Sequence, residues 1–364
     1  DRAVSRHDEY CATLAFSSSR ICRYESINGQ NPSGWYQNEG SLCIVTKDLF
    51  AYDGDFYRYS DPHRFPGTTV TDAKRKSECC VFITCGTYAF GGGVDSGIYG
   101  FAATHIGYRA FNFPWLSNFE SDLDLKKAWF FFDGGILCLN AAISCTDDQK
   151  VLTVIDNRKM TCPSESIFFD GQEETLKDTD TVYGPVNVVS NPAFGSYVFL
   201  SPTAVTAKVQ GSEHPYFELL VDHGKCPENA SLAYVMLPNA DQSRAREFLE
   251  SNPIEVLSNT ATVMAARDTA AGVSAYAFFE AGSFDGISVS APATIMTQQT
   301  EKGLAVCVSD PTHYETALTL RFEGKRSLLC ADEGIAVSYE EGQTLVTVCV
   351  NGTIGKTNRF TVSD

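Results

Sequence analysis

Apolar and polar residues exchange places at every second position along most of this chain, in short runs rich in β-branched and aromatic residues. Successive side chains on a strand point to opposite faces, so this period makes strands with one buried face and not helices. Alternating, β-branched or aromatic runs stand at 42–45, 80–84, 129–132, 136–139, 197–200, 232–237, 304–308, 318–322 and 345–350. Between them stand Asn28-Gly29, Asp53-Gly54, Asp133-Gly134, Asp170-Gly171, Asp285-Gly286 and Asn351-Gly352, pairs that tolerate the positive φ of tight turns. Helical spacing is confined to 241–251, with Ala245, Phe248 and Leu249 on one side, and to a single turn at 123–127. The pattern predicts an antiparallel all-β protein. At 364 residues and 43% hydrophobic, the chain has material for two or more cores.

The segment Asp61-Pro62-His63-Arg64-Phe65-Pro66-Gly67-Thr68-Thr69-Val70 is the most specific local feature. Two prolines fix φ, Gly67 permits a turn that other residues make only at a cost, and the β-branched exit favours a strand. On its residues alone it is a rigid turn entering a strand. It also resembles the D-P-x-R-x-P-G-T-T-V segment of polysaccharide lyase family 8, whose members cleave hyaluronan, chondroitin and xanthan by β-elimination.

Further segments resemble the same family in the same order. They are Ser17-Ser18-Ser19-Arg20, Tyr24-Glu25-Ser26-Ile27-Asn28-Gly29, Gly34-Trp35-Tyr36, Gly91-Gly92-Gly93-Val94 with Tyr99-Gly100, and Lys127-Ala128-Trp129-Phe130-Phe131-Phe132-Asp133. Asp156-Asn157-Arg158, His223-Gly224, Tyr234-Val235-Met236-Leu237-Pro238-Asn239 and Val256-Leu257-Ser258-Asn259-Thr260-Ala261 follow. The resemblance implies a large multi-sheet super-sandwich of the galactose-mutarotase-like type over 1–255, and a small C-terminal β-sandwich over 256–364. The break is placed where Ser251-Asn252-Pro253-Ile254 interrupts the pattern.

Eliminative cleavage of a uronate polymer needs the carboxylate neutralised, a base for the C5 proton and an acid for the leaving oxygen. In the family these tasks fall to an Asn, a His and a Tyr on an N-terminal helical toroid, and none of the three matches a position here. Arg2 and Arg6 resemble the R-x-x-x-R segment that orients substrate. A planar guanidinium fork suits carboxylate or sulfate bidentately. Trp35, Tyr36 and Trp115, in Gly-, Pro- and Asn-rich surroundings, are expected on loops that contact glycan, with Arg64 adding charge. Arg20, Arg23 and Arg58 complete the supply for a local basic cleft. Asp95, in the Gly-rich turn, is the nearest acid to a family glutamate and reads better as a turn former. His63, His105, His214, His223 and His313 lack the spacing of a metal pair or a Ser/His/Asp set, and only His7, beside Arg6, stays open as a catalytic residue. No metal or cofactor is expected.

A formal charge of −17 excludes nucleic acid and anionic membrane surfaces as partners. No stretch is apolar enough to span a bilayer. Thirteen cysteines without C-x-x-C pairs, and the sequons Asn229-Ala230-Ser231 and Asn351-Gly352-Thr353, fit a secreted, disulfide-bonded glycoprotein, with two of Cys307, Cys330 and Cys349 joined. The expectation is the β portion of a secreted lyase-like protein acting on or binding an acidic polysaccharide. By itself it would not be catalytic, and its partner would be a toroid-bearing N-terminal chain or portion. The alternative is a non-catalytic extracellular carbohydrate-binding or structural module on the same scaffold. A stand-alone mutarotase-like enzyme would need a His/His/Glu set that the sequence does not display.

Overall fold

A computed structural model describes residues 1–77, 85–108, 121–160 and 165–363. Its strand ladders are antiparallel. Strands Arg2–Arg6, Cys11–Phe16 and Glu39–Val45 form a three-stranded sheet, packed against a twelve-stranded sheet that runs from Gly91–Asp95 at one edge to Gln172–Glu174 at the other. From Ile254 onward, a seven-stranded and a five-stranded sheet close on a core of their own.

The strand Asp124–Phe132 shows why its sequence departs from simple alternation. Trp129 and Phe131 enter the core beneath the three-stranded sheet. Ala128, Phe130 and Phe132 enter a second core on the opposite face, which also contains Met264, Ala266, Val273 and Met296 of the C-terminal sandwich. Buried on both sides, the strand needs apolar residues at consecutive positions.

The 61–70 segment is built into this interior. Gly67 has φ +81°, and a Cβ there would stand 2.6 Å from the Leu42 nitrogen. Its N–H donates to Val154 O at 2.9 Å, and the Pro66 carbonyl accepts from Leu42 N at 3.0 Å. Thr69–Thr71 then pairs with Lys150–Lys159, and the Thr69 and Thr153 hydroxyls meet at 2.9 Å. The Lys127 amine, wholly buried, donates to Gly67 O and to Thr69 Oγ1.

Gln242–Ser251 is helical, with Asp241 capping it by accepting from Arg244 N and Asn252 ending it at φ 44°. Position 123–127, expected as a helical turn, instead opens the strand Asp124–Phe132, because its side chains bury against neighbouring strands. Asp53-Gly54 turns into the short helix Phe56–Tyr59 and not into a hairpin, with Asp53 Oδ1 accepting from Asp55 N at 3.0 Å. The strand expected at 80–84 lies outside the described residues, as does Trp115.

No disulfide joins the ten described cysteines. The pairing expected within Cys307, Cys330 and Cys349 fails on geometry. Cys307 lies opposite Arg359 and Cys330 opposite Thr361, on the two sides of Asn358–Val362. Two strand spacings, about 9–10 Å, exceed the roughly 7 Å that a disulfide spans between Cα atoms. Cys349 belongs to the facing sheet, about 10 Å away.

Candidate functional site

The strand Arg2–Arg6 has two distinct faces. Ala3 and Ser5, paired with Leu14 and Ala12, turn inward. Arg2, Val4 and Arg6, paired with Ala15, Thr13 and Cys11, turn outward and are exposed. Strand periodicity thus places both arginines on one side of an edge strand, their Cα atoms about 13 Å apart.

Arg2 donates to Asn38 Oδ1, and the Asn38 amide nitrogen donates to Cys22 O at 3.1 Å. The backbone therefore orients the amide, and the amide orients the guanidinium. Tyr57, 63% exposed, stands within electrostatic reach of this face: burial and then Cys43 raise its phenol pKa while Arg2 opposes them. Arg2, Val4, Arg6 and Asn38 make a cationic face.

At the edge of the sheet this face borders a groove of about 870 Å³, walled by 1–7 on one side and by 91–95 and 97–102 on the other, with Asp133, His313 and 354–357 completing it. The three glycines of the Gly-rich wall are each crowded by a different neighbour: Ser18 at Gly91, the C-terminal sandwich at Gly92 and the Phe101 carbonyl at Gly93. A Cβ on Gly92 would stand 2.9 Å from Pro311 Cα. That sandwich also caps the edge of the Gly-rich strand: Gly91 N donates to Pro311 O at 3.0 Å, and Gly93 O accepts from Ser309 Oγ at 2.8 Å. Arg20 fixes the junction by donating to four carbonyls, those of Ala89, Thr312, Gly91 and Pro311, at 2.6, 2.8, 3.1 and 3.2 Å.

The remaining candidates sit elsewhere. Asp95 lines the groove but is held by Arg359 at 3.0 Å and by Thr357 Oγ1 at 3.3 Å. His7, next to Arg6 in sequence, follows the inward-facing parity, with its ring 3.0 Å from Ser5 Oγ and stacked on Tyr10. Arg64 is bound to Asp180 at 3.3 Å, in a cluster where Lys208 bridges Asp180 and Glu218. There burial pushes the Glu218 carboxyl up to about 7, against the pull of Lys208 and Arg64. Arg23 is buried beside Glu39 at 3.4 Å.

Trp35 and Tyr36, expected on an exposed loop, are only 2% and 1% exposed. Their loop folds onto Tyr24, Phe56, Phe65 and Tyr108 and makes a small core, with the Arg75 guanidinium 5.4 and 5.5 Å from the two ring centres. Neither ring offers a face to a glycan. Asn229 and Asn351 are both exposed.

Among the described residues, Asp122, Cys145 and Asp147 are the one His/Cys/Asp/Glu group close enough to share an ion. Asp122 already accepts from Cys145 Sγ and Thr146 N, and Asp147 from Ser121 Oγ, so these carboxylates cap a turn. Sequence reasoning missed Asn38, whose partner is 36 positions away and leaves no local signal. Tyr57 could have been found: in Phe56-Tyr57 on a single helical turn, one ring must face out when the other is buried.

Comparison with known proteins fits this geometry. The description "Polysaccharide lyase family 8, super-sandwich domain" matches residues 1–249, and "Polysaccharide lyase family 8, C-terminal beta-sandwich domain" matches 255–319. A xanthan lyase of Bacillus sp. (strain GL1) is 30% identical over 387 residues, covering 98% of this chain and 40% of the relative. A hyaluronate lyase of Thermasporomyces composti is 29% identical, covering 100% of this chain and 48% of the relative. The chain thus spans less than half the length of these relatives. A solved xanthan lyase from Paenibacillus has the same fold, with a TM-score of 0.89 at 24% identity over 100% of this chain and 36% of that one.

Proposed function

The chain belongs to polysaccharide lyase family 8, and from that premise we propose that it is the β portion of a secreted lyase-like protein that binds an acidic polysaccharide across the Arg2–Arg6 face. The observation that carries this reading is the pair of outward guanidinium groups on one strand, with Asn38 orienting the first. A separation of about 13 Å suits a polymer with repeated anionic groups better than a single small acid. Each guanidinium can hold a carboxylate through two parallel N–H bonds, and in the lyase reaction such a contact would neutralise the uronate and fix its ring.

Cleavage would require more. His7 and His313 line the adjoining groove, and His7 is held there by Ser5 and Tyr10. Proton abstraction and leaving-group protonation would come from a helical portion docked on this face, and the chain alone binds without cutting. A formal charge of −17 favours a second reading, in which the scaffold serves only as an extracellular binding or structural module.

Purified chain should produce no absorbance from unsaturated uronate on hyaluronan, chondroitin or xanthan, yet should bind uronate oligosaccharides with an affinity that falls as salt rises. Robust product from the isolated chain would overturn the non-catalytic reading. Binding indifferent to salt and to R2A/R6A would remove the arginine face from it.

A further inference from the structure

Cys22 and Cys85 face each other across an isolated antiparallel bridge, with their sulfurs 3.9 Å apart. Directly opposed residues in an antiparallel pair have Cα atoms about 4.5–5.5 Å apart, inside the range of about 4.4–6.8 Å that a disulfide accepts. The sulfurs can therefore meet by side-chain rotation, with no backbone movement. The register does not depend on them either: Gly86 N donates to Ser18 O at 2.8 Å, and Arg23 Nε to Cys85 O at 3.2 Å. Both thiols are partly exposed, so a small oxidant can reach them.

We propose that Cys22 and Cys85 are a redox-sensitive cross-link site, closed by thiol–disulfide exchange with a small-molecule disulfide such as oxidised glutathione. The balance is simple. One protein thiolate attacks a glutathione sulfur and releases one glutathione thiol. The second protein thiolate then displaces the other glutathione from the mixed disulfide. Two protein thiols lose two protons and two electrons, and one glutathione disulfide becomes two thiols. Burial, and then Cys22 itself, push the Cys85 thiol up to about 11, which slows exchange at neutral pH and speeds it in alkaline buffer.

The bond would join segments far apart in the chain and would fix the backbone carbonyl of Cys22, which holds Asn38 and through it Arg2. Closing so long a loop restricts mainly the unfolded chain, so the oxidised form should melt at the higher temperature.

The test is peptide mapping of the native protein after incubation with glutathione disulfide, alkylation and digestion without reduction. The expected product is a linked peptide pair containing Cys22 and Cys85. It should vanish in C22S and in C85S, revert with dithiothreitol and accompany a higher Tm. The proposal is overturned if Cys22 or Cys85 is found joined to Cys79, Cys80 or Cys162, or if both remain open to alkylation under oxidant that cross-links the denatured chain. The mapping is made on the wild-type chain, so it does not depend on either serine variant folding.

Discussion

The 61–70 segment and the 2–6 strand each carry a group of polar residues, and the fold treats the two in opposite ways. In the first, hydroxyls, carbonyls and the amine of Lys127 are turned inward and bonded to one another. In the second, the polar side chains point to solvent and one of them is held from the side by Asn38. A distinctive motif can thus be architecture. A buried polar network admits few substitutes, because each unpaired group costs the full desolvation penalty, and so it reads as a sharp sequence pattern. An outward arginine pair has no such constraint and reads as almost nothing.

The largest expected effect tests the interior side of this contrast. Asp156 and Arg158 are 0% and 1% exposed and joined at 2.5 Å, with Tyr52 and Tyr197 also donating to the carboxylate. Asp156→Ala leaves the guanidinium buried without its partner and should cost about 3–5 kcal/mol, measured by urea unfolding. A loss below about 1 kcal/mol would mean that water reaches this centre. Gly67→Ala comes next. It forces a side chain into positive φ against the Leu42 backbone and should cost roughly 1–3 kcal/mol or more. A neutral outcome would show that the turn can shift, and that the motif is not held as rigidly as its bonds imply.

Lys127 gives the same region a pH signature. Burial pushes its amine down to about 7 from an ordinary 10.5. Between those values the unfolded chain holds the proton and the folded chain does not, so stability should rise with pH across that window, by at most about 1.4 kcal/mol per unit. Below about 7 both states are protonated, and the penalty is constant. Lys127→Met removes this contribution, so urea midpoints of the two proteins should diverge from pH 7 to 10 in favour of the wild type's slope. Parallel profiles would place the charged amine comfortably inside the fold.

How much could be read in advance follows the same division. The turns Asp170-Gly171 and Asp285-Gly286 have positive φ at both residues and close two-residue hairpins, because Asp-Gly carries its backbone preference with it. The helix at 242–251 was legible from its spacing, with Ala245, Phe248 and Leu249 on one side, while Asp241, read as its first residue, proves to be its cap. Trp35 and Tyr36 were misplaced because Gly- and Asn-rich composition speaks of backbone freedom and is silent on which way a ring turns. The bonds from Arg20 to Thr312 and Pro311 cross almost the whole chain, and Arg2 finds Asn38 only through tertiary structure. Cysteine count likewise suggested a disulfide framework, while the register of Asn358–Val362 keeps Cys307 and Cys330 apart.

The smallest stability effect, and the sharpest separation of the two regions, is expected at the arginines. Arg2 and Arg6 are exposed on an edge strand, so Arg2→Ala with Arg6→Ala should move unfolding free energy by no more than about 0.5 kcal/mol. Their value lies in charge presented to solvent, so the double variant should lose most of its affinity for a uronate oligosaccharide and with it most of the salt dependence. Asn38→Ala should weaken binding less than Arg2→Ala, because it frees the guanidinium without removing it. Titration calorimetry at two salt concentrations separates these outcomes. If the arginine variant instead unfolds like Asp156→Ala, the strand is part of the architecture after all. If it folds and binds as the wild type does, the glycan does not depend on the two guanidinium groups, and the opposite wall of the groove, at 91–95 and 97–102, becomes the place to look.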